Sequence, residues 1–183
     1  QLRDAIQKML GAPDGAAPAP AAAPAEAKPR PDGHAAIGMD EVSMLPAEAR
    51  ARLRDLAVAT IAGGDALAAD DFAGYQKQLP AIRQALAAFF AGYDRADDGP
   101  LGRFKDNLPD RADLKAAQRD FAYFSTAVAD LARANRLPEQ EHWHVFECPM
   151  APGIGTGRWL QRSANIRNPF HGSAMPECGE EIP

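Results

Sequence analysis

The chain has no excess of basic residues: 20 Lys and Arg stand against 25 Asp and Glu, a formal net charge of −5. Binding to nucleic acid through phosphate neutralisation needs a basic face, so that class of function is not expected. No apolar run approaches the ~20 residues that span a bilayer. No basic segment followed by an apolar stretch marks a secretion signal. There is no Ser-His-Asp arrangement with supporting context. The glycine-rich run Gly153-Ile154-Gly155-Thr156-Gly157 precedes no long helix, so it lacks the anion-binding helix start of a nucleotide loop. The chain is therefore not expected to be an enzyme. Large apolar residues are sparse too, because alanine supplies much of the 46% hydrophobic content. Gln1 is not an initiator methionine, so the chain is expected to be a fragment or a processed form. The missing signal then says nothing about where the parent protein resides.

There are only two cysteines, which suit either one disulfide or one soft-metal site. Both lie near the end of the chain, each within three residues of a methionine: Cys148-Pro149-Met150 and Met175-Pro176-Glu177-Cys178-Gly179. Thiolate and thioether are soft donors, and soft donors select Cu(I) over hard or borderline ions. If the chain folds back, the two clusters could supply four sulfur ligands.

Upstream, Leu2, Ala5, Ile6, Met9 and Leu10 recur at helical spacing, and Gly11 follows as a stop. Residues 1–11 read as the end of a larger upstream domain, since so short a helix is not stable alone. Residues 12–45 read as a linker, Ala- and Pro-rich as far as residue 33. His34, Met39 and Met44 at its exit could form an auxiliary soft-metal strand, but linker exit with packing methionines is the preferred reading. From Pro46 a helix is expected, with Leu45, Ala49, Leu53, Leu56 and Ile61 on one face and Gly63-Gly64 at its end. Asp70 or Asp71 can cap a second helix, and Asp110 a third. Their apolar positions, Phe72 to Tyr93 and Leu114 to Leu131, step by threes and fours and read as core. Pro80 is expected to kink the second helix, and Leu137-Pro138 to stop the third. Strand-like alternation is confined to Trp143–Phe146. The expected fold of residues 46–183 is therefore all-α: an antiparallel bundle of three main helices with an irregular Gly/Pro-rich C-terminal segment docked on it.

That C-terminal segment carries an ordered signature. Its parts are Cys148-Pro149-Met150, Trp159-Leu160, Ile166-Arg167-Asn168-Pro169-Phe170, Gly172-Ser173-Ala174-Met175 and Cys178-Gly179. Together they resemble the small C-terminal domain of Cus-type (copper/silver) periplasmic adaptor, or membrane fusion, subunits of heavy-metal efflux pumps. The same domain also occurs in free-standing secreted bacterial proteins of unassigned function. Phe121-Ala122-Tyr123-Phe124-Ser125 is similar to the F-x-x-[LF]-S of that domain's last long helix. The resemblance covers residues 46–182, weakly in the bundle and strongly in the tail. It implies a periplasmic location and a role in Cu(I) or Ag(I) export. The implied partners are a transporter of the resistance-nodulation-division (RND) class, an outer-membrane channel and a periplasmic metallochaperone. His171 stands where the family usually has a second aromatic residue. It could add a nitrogen donor beside Met175, or it could be an exposed surface histidine.

The candidate metal ligands are thus Cys148, Met150, Met175, Cys178 and His171. His142 and His144 flank Trp143 and, in an extended strand, would point to one side. With Cys148 they could hold Zn²⁺ or Cu²⁺, although a partly exposed strand edge is the preferred reading. The alternative for the cysteines is a disulfide, common in secreted domains. It would close a loop of about thirty residues, worth roughly 3–4 kcal/mol in the chain-entropy treatment, and leave Met150 and Met175 as core fillers. Asn168-Pro169 is expected to set a turn in which the Asn168 side chain satisfies open backbone groups. Arg158 and Arg167 are expected to pair with carboxylates of the bundle. A tether of roughly twenty residues would give the domain a search radius of roughly 25 Å and an effective concentration on the order of millimolar.

Overall fold

The computed structural model describes residues 44–93, 98–106, 108 and 111–183. The expected helix at 1–10, most of the linker, His34, Met39 and the Asp110 cap lie outside the described residues. Helix α1 runs Ala47–Ala68, α2 Phe72–Ala91, α3 Leu114–Ala134 and α4 Leu137–Glu141. Strands β1 (His144–Ala151), β2 (Gly155–Gln161) and β3 (Glu180–Ile182) form an antiparallel sheet in the order β2-β1-β3.

The long helices follow their apolar seams. Tyr75, Leu79, Ile82, Leu86 and Phe89 are buried along α2, and Ala117, Phe121, Phe124 and Val128 along α3. Asp71 caps α2 by accepting the Gly74 N–H at 2.7 Å, and Asp113, not the expected Asp110, caps α3 by accepting the Ala116 N–H at 2.8 Å. These bonds satisfy amides that a helix start leaves open. Helix α2 continues through Pro80. Helix α1 does not stop at Gly63-Gly64, as their composition suggested, but runs on for four more residues. The two glycines serve close approach instead. A Cβ at Gly63 would stand 3.0 Å from Ile82 Cδ1, and one at Gly64 3.3 Å from the Phe121 ring. Helix α3 does end ahead of Leu137-Pro138, at Ala134, but the pair opens a new helix: Pro138 lies in the first turn of α4, where its missing N–H costs no bond.

The larger correction concerns fold class. Residues 144–182 are not an irregular tail on an all-α bundle. Among the described residues they build a three-stranded sheet, and the fold is mixed α/β. Consecutive residues are buried in these strands, Val145 with Phe146 and Trp159 with Leu160. A strand covered on both faces shows no polar–apolar alternation, and its sequence signature disappears.

Helix α3 covers one face and the open edge of β2. Ser125 Oγ donates to the Arg158 carbonyl at 2.8 Å, and the Arg158 N–H donates to Thr126 Oγ1 at 2.9 Å. An edge strand otherwise presents unpaired backbone groups. The expected arginine pairs form: Arg158 reaches Asp130 of α3 at 3.1 Å as well as Glu147 of β1 at 2.7 Å, and Arg167 reaches Asp65 of α1 at 3.9 Å. On the other face, Phe146 stacks on Trp159 (5.5 Å between centroids) and Phe170 meets Trp159 edge-on (5.2 Å). Residues 162–179 therefore close over this face. Asp70, between α1 and α2, accepts the Ser173 N–H at 3.0 Å and ties the closing segment back to the helices.

Candidate soft-metal site

Side chains alternate along β1, so His144, Phe146 and Cys148 face the closing segment while Glu147 faces α3. Cys148 is fully buried. Cys178 sits in the turn just before β3, half-buried, and its N–H donates to the Met175 carbonyl at 3.3 Å. The two Sγ atoms are 3.4 Å apart, and both cysteines are free thiols. Thirty residues separate them in sequence, and the fold brings them into contact.

Two features hold Cys178 there. Asn168 is fully buried and uses every polar group it has. Its Nδ2 donates to the Cys178 carbonyl at 2.6 Å and its Oδ1 accepts the Phe170 N–H at 2.8 Å. Its own N–H donates to the Pro176 carbonyl at 2.9 Å, and its carbonyl accepts the Gly172 N–H at 3.0 Å. The role expected of Asn168 in a turn is thus met, and extended to the cysteine segment. Gly179 is the second feature. It has φ +135°, and a Cβ there would lie 2.7 Å from the Glu147 carbonyl oxygen and 3.0 Å from the Trp159 ring. Only glycine lets the chain pass that close to β1 in that conformation.

The other proposed donors are placed less tightly. The β1–β2 register shifts between Cys148 and Ala151, and Met150 is 54% exposed. So large an exposed apolar side chain is unusual for a residue read as a core filler. Met175 is half-buried, one turn from Cys178. His171 Nε2 lies 3.0 Å from the Met150 carbonyl oxygen. A carbonyl only accepts, so this contact puts the ring proton on Nε2 and leaves Nδ1 as the nitrogen free to bind a metal. His171 thus sits over the same strand end as the sulfurs.

His142 and His144 do not form the shared side that an extended strand would give. His142 closes α4 with φ +55° and is exposed, and β1 begins only at His144. His144 Nδ1 is 2.8 Å from Glu181 of β3. Glu141 and Glu147, the carboxylates that flank this stretch, are paired with Arg54 and Arg158. Among the described residues, no group of three or more His, Cys, Asp or Glu converges as a metal cluster. Any site here rests on the thiol pair and the thioethers.

The hydrogen bond shared with Cys148, then desolvation, push the Cys178 thiol above its ordinary range. At neutral pH less of it is thiolate than in an open peptide, and the thiolate is the nucleophile and the metal ligand. Alkylation of Cys178 by iodoacetamide is therefore expected to be slower than that of a free cysteine at the same pH, and to rise as pH is raised. A rate equal to the free thiol's would mean that the Cys148 contact does not hold the proton. A metal that binds here must displace protons, so its affinity should also increase with pH.

Fold and pair together define a helical scaffold whose small antiparallel sheet carries a dithiol beside a bulged hairpin. No family model matches the chain, and no match was found among curated proteins or solved structures. Among the described residues no helix is long and apolar enough to cross a membrane.

Proposed function

We propose that this domain handles a soft monovalent cation, Cu(I) or Ag(I), held by Cys148 and Cys178. The observation that carries the reading is the 3.4 Å contact between the two thiols, one buried and one half-exposed. A thiolate–zinc bond is about 2.3 Å, and a metal held at a tetrahedral angle keeps its two sulfurs about 3.8 Å apart. The pair needs to open by only a few tenths of an ångström to take an ion of similar bond length. The half-exposed Cys178 gives the ion a way in and out. Met150, Met175 and His171 Nδ1 are the further candidate donors, with thioethers favouring Cu(I) over harder ions.

The resemblance of the C-terminal signature to adaptor domains sets the wider role. The domain is a periplasmic accessory of an RND-type heavy-metal efflux adaptor, passing its cation to the pump. Its partners there are the transporter, the outer-membrane channel and a periplasmic metallochaperone. The competing reading is an interaction domain that uses the cysteines as a structural staple and holds no metal.

An anaerobic Cu(I) competition titration on reduced protein separates the two. Tight one-to-one binding is expected, lost in the Cys148→Ser/Cys178→Ser double variant and weakened in Met150→Leu and Met175→Leu. Binding no tighter than that of the double variant would leave the interaction domain.

A further inference from the structure

We infer that Cys148 and Cys178 form a redox gate on this site: thiol–disulfide exchange closes them into a reversible intramolecular disulfide that cannot hold the cation, with Cys178 as the point of attack. The metal-releasing half of this inference rests on the reading above; the disulfide half rests on geometry alone.

The sulfurs stand 3.4 Å apart, and a disulfide bond is about 2.05 Å. The remaining approach falls to Cys178. Cys148 lies in the central strand, fully buried and paired on both sides through its neighbours, whereas Cys178 lies in a turn that leads into the three-residue edge strand β3. The two sulfurs therefore have unequal access. An external disulfide can reach Cys178 but not Cys148. This order of events follows from burial: the accessible thiol reacts first and the buried one resolves.

The chemistry balances with a small-molecule disulfide as oxidant. The Cys178 thiolate attacks one sulfur of the external disulfide, the external S–S bond breaks, and one thiolate leaves. This gives a mixed disulfide on Cys178. The Cys148 thiolate, already in contact, attacks Cys178 Sγ, and the second external thiolate leaves. Two protein thiols have lost two protons and two electrons, and one external disulfide has become two thiols. The product has no thiolate, and the thiolate is the metal ligand, so its affinity for Cu(I) falls with the bond's formation. Reduction by an external dithiol restores the site.

The test uses the whole chain in glutathione buffers of defined ratio, read by intact mass and by Cu(I) competition. Native protein is expected to lose both thiols without retaining glutathione, reversibly, and to bind one Cu(I) when reduced and none when oxidised. The Cys148→Ser variant is expected to keep one glutathione on Cys178, and Cys178→Ser none. Glutathione on Cys178→Ser as fast as on Cys148→Ser would overturn the assigned order. Native protein that stops at mixed disulfides would overturn the gate while leaving metal binding by reduced protein intact. A disulfide that forms in protein unable to bind Cu(I) when reduced would overturn the metal reading and the metal-releasing half of the inference, and the loss of both thiols would show the disulfide half standing.

Discussion

Replacing Asn168 with alanine is expected to cost about 3 kcal/mol of stability and to loosen the cysteine pair. Asn168 is fully buried, and its side chain is the partner of both the Cys178 carbonyl and the Phe170 N–H. Truncation leaves two buried backbone groups unpaired, at about 1–3 kcal/mol each. Partial access of water near the half-exposed Cys178 brings the sum to the lower half of that range. A urea midpoint that falls with an unchanged slope would report this loss. The functional consequence is separate. Without the bond to its carbonyl, Cys178 is no longer fixed against Cys148, so Cu(I) affinity and the yield of intramolecular disulfide should both drop. A loss below about 1 kcal/mol, the net value of an ordinary hydrogen bond, would mean that water replaces the side chain and that Asn168 does not organise the site.

Gly179→Ala is expected to act more locally, with its largest effect on strand β3. The residue has φ +135°, and the added Cβ would meet the Glu147 carbonyl oxygen and the Trp159 ring. A side chain held in so sparsely populated a region costs on the order of 1–3 kcal/mol, before the contact with backbone is counted. Strand β3 has three residues and pairs only with β1. Peeling β3 away relieves the clash for less than distorting the central strand would cost. The expected result is loss of amide protection at Glu181 and Ile182, alkylation of the otherwise buried Cys148, and a smaller change in global unfolding than for Asn168→Ala. Retained protection in β3, with Cys148 still inert, would show that the segment adapts around the methyl group.

These two residues also mark what could be read from the sequence. The helices were legible because their apolar residues step by threes and fours; the aspartate cap was placed correctly for α2 but three residues early for α3, where Asp113 and not Asp110 caps. The pairing of Arg158 and Arg167 with helix carboxylates was legible as well, since a polar side chain in a docked segment needs a partner. The sheet was not. Val145-Phe146 and Trp159-Leu160 are buried as adjacent pairs because α3 covers one face and residues 162–179 the other. The alternation that betrays a half-exposed strand is therefore absent. The hairpin did leave a trace, a Pro152-Gly153 turn between two short apolar runs. Gly63-Gly64 misled for a related reason. A glycine pair signals a helix stop or a close approach equally well, and only the positions of Ile82 and Phe121 decide between them. The meeting of Cys148 and Cys178 was required by both the metal and the disulfide readings. The sequence did not rank the four sulfurs: in the fold the two thiols touch, while Met150 lies 54% exposed past a register shift.

X-ray absorption at the metal edge of Cu(I)-loaded protein tests the central claim most directly, since it reports which atoms surround the ion. A first shell dominated by sulfur, lost in the Cys148→Ser/Cys178→Ser variant and reduced in count by Met150→Leu or Met175→Leu, is the expected result. A shell of nitrogen and oxygen, or a sulfur shell that survives removal of both cysteines, would contradict it.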